Sequence, residues 1–322
     1  MKQINRTAII GMGALGLMYG EHIVTALGKN AVAFILDNDR FAKNQNKAFT
    51  CNGKKLNLQI KRSSDKEIFD LVIVAVKYNS LKSALATMKN CIGPETIIIS
   101  VMNGISSEQI IGQQFGMDKM LITIAQEMDA MRDDSDLVYT KKGVLVIGKP
   151  TFSDNSKTMP ATKLSTSPAA TADENLEAVK NYFEKIQLPF RIEENIMYRL
   201  WAKWMLNVGI NQTCAVFDTN YKTATTPGKI MDTFVGAMKE VVELSHLEGI
   251  NLADSEVDNY IRIIKTLAPE GYPSMAQDRK AKRYSEVEMF AGTVIELAAK
   301  HGIDVPVNKF LYNEMKKIES EY

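Results

Sequence analysis

The chain has 322 residues, 45% of them hydrophobic and 24% charged, so it can bury a large core and its length predicts two domains. Its formal net charge of +1 excludes a general attraction to nucleic acid or acidic membranes. No apolar run reaches the roughly 18 residues of a membrane-spanning helix, and the three distant cysteines suggest neither a disulfide framework nor a metal site. We therefore expect a cytoplasmic protein that binds no metal.

In the first 150 residues, short apolar segments alternate with stretches of helical pattern. Continuous apolar strands between helices predict a parallel sheet covered on both faces, an α/β fold of the Rossmann type with a doubly wound sheet. The strand-like segments are RTAIIG (6–11), AVAFILD (31–37), LVIVAV (71–76), ETIIISV (95–101), MLITIA (120–125) and GVLVIGKP (143–150).

The predicted dinucleotide-binding domain covers residues 1–194. It includes a stretch rich in Ser, Thr, Ala and Pro, residues 151–175, which has little to bury and is interpreted as a polar surface excursion. A helical stretch and the short strand PFRIEE (189–194) close this domain. From residue 195 to 322 the pattern predicts an all-helical domain of four or five helices.

A glycine-rich loop follows the first predicted strand and opens the first predicted helix. Glycines in the pattern G-x-G-x-x-G permit a tight turn and close approach of a pyrophosphate, while the helix N-terminus presents N–H groups to the phosphates. The order of strand, loop, helix and strand predicts a dinucleotide site, with glycines that serve packing alone as the alternative. The loop comprises Gly11, Met12, Gly13, Ala14, Leu15 and Gly16.

An acidic residue ends the second predicted strand. Asp37 lies 21 residues after Gly16, where an acid that binds the adenosine ribose is expected. A carboxylate there accepts hydrogen bonds from ribose hydroxyls but repels a 2′-phosphate, so Asp37 favours NADH over NADPH. Arg40, in the same loop, is open to three interpretations: a partner for a 2′-phosphate, a partner for Asp37 or Asp39, or a solvated side chain.

The apolar stretch RLWAKWMLNVGIN (199–211) places Lys203, Asn207 and Asn211 at successive four-residue steps. In a helix such steps advance about 40° each, so the three residues share an arc of about 80°. The row is interpreted as the wall of a cleft; the alternative is a lysine that extends to solvent and amides that cap neighbouring turns. With a nicotinamide cofactor, Lys203 would be the general acid for a ketone, since none of the three histidines has an evident acid partner.

Five segments in chain order resemble motifs of one family, the ketopantoate reductases (2-dehydropantoate 2-reductases), over nearly the whole chain. The family's GxGALG loop corresponds to GMGALG, its QNG-like turn to MNG at Asn103, and its W-x-K helix with following asparagines to WAKWMLNVGIN. Its SSM-x-QD and TEID segments correspond to PSMAQDRKAKRYSEVE, and HGIDVPVN followed by IESEY also has the family's form. The resemblance implies reduction of a 2-keto acid in pantothenate biosynthesis.

The resemblance also implies roles for individual residues. Lys203 would be the general acid, supported by Glu286. Cofactor would contact Lys77, and Asn103 would lie between nicotinamide and substrate. The remaining substrate-binding residues would be Asn207, Asn211 and Ser274.

Where the family commonly has an arginine for the 2′-phosphate, this chain has Asp37, so family habit favours NADPH and the residue itself favours NADH. Three functions stay open: ketopantoate reduction, an NADH-linked D-2-hydroxy-acid dehydrogenase acting on another branched or aromatic 2-keto acid, and a non-catalytic dinucleotide-binding sensor. The expected partner is a small 2-keto acid. The apolar faces of the C-terminal helices would also allow two subunits to pair.

Overall fold

The structure, a computed structural model, describes residues 2–150 and 168–322. Within them the chain forms two compact units. Unit 1 comprises residues 2–103, 107–150 and 168–196, and unit 2 comprises residues 104–106 and 197–322. Sequence patterns place a domain boundary after residue 194, and the chain passes from unit 1 to unit 2 after residue 196.

Unit 1 contains all the β-strands that the structure describes, together with five α-helices. The strands are β1 (Thr7–Ile10), β2 (Val32–Leu36), β3 (Thr50–Cys51), β4 (Lys54–Lys55), β5 (Ile60–Arg62), β6 (Leu71–Val74), β7 (Ile97–Ser100), β8 (Met120–Met128), β9 (Met131–Asp133), β10 (Asp136–Val138), β11 (Lys142–Gly148) and β12 (Phe190–Ile192). The helices are α1 (Ala14–Leu27), α2 (Asn38–Asn44), α3 (Leu81–Met88), α4 (Ser107–Phe115) and α5 (Pro168–Lys185).

The main sheet has eight strands in the order β12-β11-β8-β7-β6-β1-β2-β5. The six strands from β8 to β5 in this order are parallel, β11 is antiparallel to β8, and β12 is parallel to β11. The order reverses between β1 and β6, which creates the switch point where such sheets bind ligands. Each strand predicted from an apolar segment is present.

Helices cover both faces of this sheet. On one face, side chains of α1 and α5 pack with alternate strand residues such as Ile9, Leu71 and Ile97. On the other, α3 and α4 pack with the intervening residues, such as Ile10 and Val72. Because both faces are buried, the strands contain few polar residues, as their sequences indicate. The predicted doubly wound, Rossmann-type fold is confirmed.

A second, small sheet in unit 1 was not anticipated by the sequence patterns. Its four strands lie in the order β4-β3-β10-β9. Strand β10 pairs parallel with β3 and antiparallel with β9, so the segment around residue 50 is joined to a hairpin more than 80 residues later. The strands are two or three residues long, too short for a visible alternation of polar and apolar residues.

The predicted excursion at residues 151–175 is too long at its C-terminal end. Residues 151–167 lie outside the described residues, but residues 168–175 form the beginning of α5. The sequence there, PAATADEN, favours a helix because it starts with proline, which suits a first helical position, and is rich in alanine. Asn175 anchors this part of the helix: its side chain donates to Asp118 O at 2.9 Å and accepts from Lys2 Nζ at 2.9 Å.

Unit 2 is helical, as predicted, but its described residues form more helices than the four or five expected. Short α7 and α10 and a π-helical turn were missed because each is about one or two turns long, below the length at which helical periodicity is visible. No helix in the described part of the chain is long and apolar enough to cross a membrane. The elements are α6 (Ile196–Val216), α7 (Tyr221–Ala224), α8 (Lys229–Leu247), α9 (Ser255–Lys265), α10 (Ser274–Lys280), a π-helical turn (Glu288–Gly292), α11 (Thr293–His301) and α12 (Pro306–Glu319).

Buried polar side chains fix α6 against the neighbouring helices of unit 2. Gln212 donates to Asn308 Oδ1 at 3.1 Å and accepts from the N–H of Ala291 at 3.0 Å. The carboxylate of Glu240, on α8, accepts from the N–H groups of Val307 and Asn308 at 2.8 and 2.9 Å and so caps α12. Burial raises the pKa of Glu240. These directional contacts set the position of α6 more sharply than apolar packing alone would.

Candidate active site

The three glycines of the loop at residues 11–16 have different surroundings. Gly11 has φ +110°, and a Cβ added there would lie 2.5 Å from Ala75 O. A Cβ added to Gly16 would lie 2.1 Å from Gly11 O, so neither position can hold a side chain. At Gly13 an added Cβ meets only Ala75 O, at 3.7 Å. The loop is thus closed on itself at Gly11 and Gly16 and open to a ligand at Gly13.

The loop also presents unused hydrogen-bond donors. Helix α1 has Gly13 as its N-cap, without a side-chain cap and without an acidic residue in its first turn. The N–H groups of residues 13–16 meet no acceptor within the described ranges 2–150 and 168–322. Consecutive free N–H groups at the positive end of a helix are a site for an anion such as a pyrophosphate. The residues therefore fit the pyrophosphate of a dinucleotide.

Asp37 follows β2 and serves as the N-cap of α2. Its Oδ1 accepts from the N–H of Arg40 at 2.8 Å, and its Oδ2 lies 3.6 Å from Arg40 Nε. Both side chains are exposed, 38% for Asp37 and 46% for Arg40, so this ion pair contributes little to stability. Of the interpretations that the sequence left open for Arg40, the structure shows the pairing with Asp37.

Lys77 and Asn103 lie beyond the carboxyl ends of two adjacent parallel strands. Lys77 comes three residues after β6 and is exposed; Asn103 comes three residues after β7 and is half-buried. The glycine loop follows β1, which pairs with β6. Since parallel strands end at the same edge of a sheet, the loop, Lys77 and Asn103 all follow the edge at which open α/β sheets bind ligands.

The row on α6 is connected to a second helix of unit 2. Lys203 and Asn207 are half-buried, and Asn211 is 5% exposed. Asn211 Nδ2 donates to Asn207 Oδ1 at 3.2 Å, and Asn211 Oδ1 accepts from Ser274 Oγ at 3.2 Å and from the N–H of Met275 at 3.3 Å. The structure thus joins three of the predicted substrate-binding residues in one network. Asn211 also caps α10 rather than a turn of its own helix.

Glu286 is half-buried, and the residues on either side of it are fixed by α12. The preceding residue, Ser285, is buried and donates to Glu319 Oε1 from its N–H at 2.7 Å and from its hydroxyl at 2.6 Å. Two residues after Glu286, the carboxylate of Glu288 accepts from the Tyr312 hydroxyl at 2.9 Å. The segment that carries Glu286 is therefore hydrogen-bonded to α12 both before and after this residue.

The segments that carry Lys203 and Glu286 are hydrogen-bonded to each other. Trp204, next to Lys203 on α6, is fully buried and donates from Nε1 to Met289 O at 3.2 Å. Met289 belongs to the π-helical turn that begins two residues after Glu286. Such turns are rare and occur frequently at functional sites. This contact holds the predicted general acid and its predicted supporting acid on adjoining elements of one unit.

Arg132, which lies on β9, also contacts the glycine loop, although no sequence motif marks it. Its Nη1 donates to Met12 O, and its Nε donates to Asp134 O at 2.6 Å. The residue is half-buried, and partial burial lowers its pKa. No local signal marks it, because the contact joins residues 120 positions apart through a sheet that has no periodic pattern.

The switch-point loop, its free N–H groups and an acid after β2 define a protein of the Rossmann dinucleotide-binding class. The sequence matches the family described as "Ketopantoate reductase PanE/ApbA" over residues 7–151 and the family described as "Ketopantoate reductase PanE/ApbA C terminal" over residues 195–319. The chain belongs to the ketopantoate reductase family, whose members are NAD(P)-dependent oxidoreductases that act on a CH–OH group.

Individual relatives match nearly the full length of the chain. The 2-dehydropantoate 2-reductase of Pyrococcus abyssi is 24% identical over 314 residues, 97% of each chain. Among solved structures, D-mandelate dehydrogenase with NADH has a TM-score of 0.80 at 20% identity, covering 98% of this chain and 99% of that one. The dimeric ketopantoate reductase of Staphylococcus aureus has a TM-score of 0.75 at 18% identity, with coverage of 98% and 99%. These likenesses agree in fold over both units.

Proposed function

We propose that the protein reduces ketopantoate to D-pantoate. The observation that carries this proposal is the network of Asn207, Asn211 and Ser274, which begins one helical turn after Lys203. Ketopantoate has a carboxylate, a ketone and a hydroxyl group, and a site for it needs a cation at the ketone and neutral donors and acceptors for the rest. Unit 2 supplies this combination of side chains on α6 and α10.

In the proposed reaction, Lys203 donates a hydrogen bond to the ketone oxygen and then transfers a proton to it. Its charge stabilises the negative charge that develops on this oxygen, and general acid catalysis typically contributes about 10²–10⁴-fold in rate. Glu286 favours the protonated form of Lys203 by its negative charge. The nicotinamide, when bound, supplies the hydride.

The remaining residues orient the two reactants. Asn207 and Asn211 bind the hydroxyl group of the substrate, and Ser274 binds its carboxylate. Asn103 lies between nicotinamide and substrate, and Lys77 contacts the cofactor. Fixed orientation of this kind lowers the entropic part of the barrier.

We also propose that NADH is the preferred cofactor. Asp37, at the end of β2, repels a 2′-phosphate, and its surface pair with Arg40 is too exposed to cancel that charge. The family's habit, NADPH, would require a cation in this place.

A second candidate is a D-2-hydroxy-acid dehydrogenase for another branched or aromatic 2-keto acid. Two observations favour it: the acid at position 37, and the likeness in fold to a D-mandelate dehydrogenase solved with NADH. The same Lys203 chemistry serves both candidates, so only the shape of the site for the substrate's tail separates them.

The test is the initial rate of nicotinamide oxidation, followed by absorbance, with NADH and NADPH in parallel. The substrates are ketopantoate, 2-ketoisovalerate and phenylglyoxylate, which differ in the tail beyond the shared keto acid. Lys203→Met removes the proton donor, and Lys239→Met, at an exposed position on α8, is the matched control.

We expect ketopantoate to have the highest kcat/KM of the three substrates. This kcat/KM should fall by about 10²-fold or more in Lys203→Met and stay unchanged in Lys239→Met. A higher kcat/KM for phenylglyoxylate or 2-ketoisovalerate would favour the second candidate. Binding of NADH without turnover of any keto acid would contradict both and indicate a dinucleotide sensor.

A further inference from the structure

Arg132 lies where a strand of the small sheet meets the dinucleotide loop. Its Nη1 donates to Met12 O in the loop, and its Nε donates to Asp134 O at 2.6 Å. The guanidinium also lies over the ring of Phe49, 5.6 Å from the ring centroid. Three contacts from different segments therefore hold this side chain in one orientation against the loop.

The positive charge of Arg132 has no carboxylate partner in hydrogen-bond or ion-pair contact among the described residues. Both of its hydrogen-bond acceptors are neutral carbonyl groups. The exposed carboxylate of Asp134 attracts the guanidinium through space, but its ion pair is with Lys47. A half-buried cation without a paired anion has lost hydration without full compensation. Partial burial lowers the pKa of Arg132, but a guanidinium stays protonated at neutral pH.

The contact with Met12 also fixes the direction of one of the loop's donors. A peptide group is planar and trans, so the N–H of Gly13 points away from the carbonyl of Met12. An arginine that holds Met12 O therefore sets the orientation of the Gly13 N–H, the first of the free donors at residues 13–16. The same side chain brings a positive charge close to these donors.

We propose that Arg132 positions the glycine loop for the pyrophosphate of the cofactor and offsets the charge of that group. Arg132 acts through the Met12–Gly13 peptide and through its charge, so it is a positioning residue and not a catalytic one. The role of the small sheet, β4-β3-β10-β9, is then to position the guanidinium of Arg132 next to the loop. The proposal rests on dinucleotide binding by unit 1 and is independent of which keto acid is reduced.

The test measures the Kd of NADH by isothermal titration calorimetry for the wild type, Arg132→Gln and Arg132→Lys. Arg132→Gln removes the charge from these contacts, and hydrogen bonds to charged groups are stronger than neutral ones. We therefore expect the Kd of NADH to rise by about 10–100-fold in this variant. Arg132→Lys keeps the charge but loses the forked donor geometry, so a smaller loss is expected. Arg191→Gln, at an exposed position on β12, is the control for the same change of net charge.

Two competitors of NADH separate a phosphate role from a general loss of structure. ADP carries a diphosphate and adenosine carries none. Arg132→Gln is therefore expected to weaken the binding of ADP and to leave the binding of adenosine unchanged. An unchanged Kd for NADH in a folded Arg132→Gln variant, or equal losses for ADP and adenosine, would overturn the proposal. If Arg132→Gln does not fold, Arg132→Lys decides by the same two criteria. Failure of the wild type to reduce ketopantoate would leave this binding test intact.

Discussion

The glycine loop of unit 1 and the α6 row of unit 2 support their proposed roles by opposite means. The loop acts through its backbone: residues 13–16 present N–H groups, and Gly11 and Gly16 leave no room for a side chain. The row acts through side chains on a regular helix, where Asn211 links α6 to α10. Substitutions in the loop should therefore disrupt it by steric conflict. Substitutions in the α6 row should lower the affinity for substrate and leave the helix intact.

The largest expected effect separates two glycines of the loop. Gly16→Ala places a methyl group 2.1 Å from Gly11 O, so we expect loss of cofactor binding together with about 1–3 kcal/mol of stability. Gly13→Ala meets only an atom at 3.7 Å, so its stability should stay within about 1 kcal/mol of wild type while NADH binding is lost. Urea unfolding and NADH titration measure both quantities. Equal destabilisation by the two variants would contradict the distinction.

A similar pair of variants examines the row. Asn211 is buried and makes three hydrogen bonds, so Asn211→Ala should raise the KM for the keto acid and also cost about 1–3 kcal/mol in unfolding free energy. Ser274 is exposed, so Ser274→Ala should raise the KM with a stability change of less than about 0.5 kcal/mol. Neither should change the Kd of NADH. A wild-type KM in Ser274→Ala would remove that residue from the site.

A smaller effect is expected at the ribose end of the cofactor site. Asp37→Ser removes the carboxylate but keeps a side-chain oxygen that can cap α2, so stability should change by only a few tenths of a kcal/mol. The ratio of kcat/KM for NADPH to that for NADH should rise by about 10-fold, since the repulsion of the 2′-phosphate is removed. An unchanged ratio would show that position 37 does not select the cofactor.

The smallest effect concerns the pH dependence of the helix that starts at the loop. His22, on α1, contacts Lys142 Nζ at 2.8 Å and Ile186 O at 2.9 Å, and burial together with the charge of Lys142 lowers its pKa. On acidification, this histidine is therefore protonated in the unfolded chain at a higher pH than in the folded protein. The stabilising contribution of neutral His22 to the folded state is complete above the ordinary histidine pKa of about 6.5 and is lost as the pH falls toward the lowered pKa.

We expect thermal unfolding temperatures between pH 5 and 8 to fall more steeply on acidification in the wild type than in His22→Gln. The variant has no group that titrates at this position, so its slope lacks that contribution. Parallel slopes would show that His22 does not contribute.

The main sheet and the loop could be predicted from sequence because each is encoded by neighbouring residues. Apolar runs such as LVIVAV identify buried strands, and G-x-G-x-x-G identifies a turn that few other sequences can form. The α6 row was also visible, because helical periodicity places Lys203, Asn207 and Asn211 on one face. The contact of Asn211 with Ser274 was not, since it joins positions 63 residues apart.

Features that depend on pairing between distant short segments could not be predicted. Strands β3, β4, β9 and β10 have two or three residues each, so no alternation reveals them. Arg132 depends on this sheet and therefore had no signal of its own. The α5 helix begins earlier than predicted because the Ser, Thr and Pro residues of 151–167 dominate the composition of the whole stretch 151–175, although its last eight residues favour a helix.

The π-helical turn at Glu288–Gly292 shifts the phase of the helix that follows it. An α-helix advances about 100° per residue, so one additional residue in a turn rotates every later side chain by about that angle. The side chains of α11 therefore occupy a rotational setting that an uninterrupted α-helix from Glu286 would not give them. Deletion of a single residue within Glu288–Gly292 would convert this turn to α-helical geometry and rotate Glu286 by about 100° relative to the buried face of α11. Glu286 and that buried face could then not both keep their present orientations.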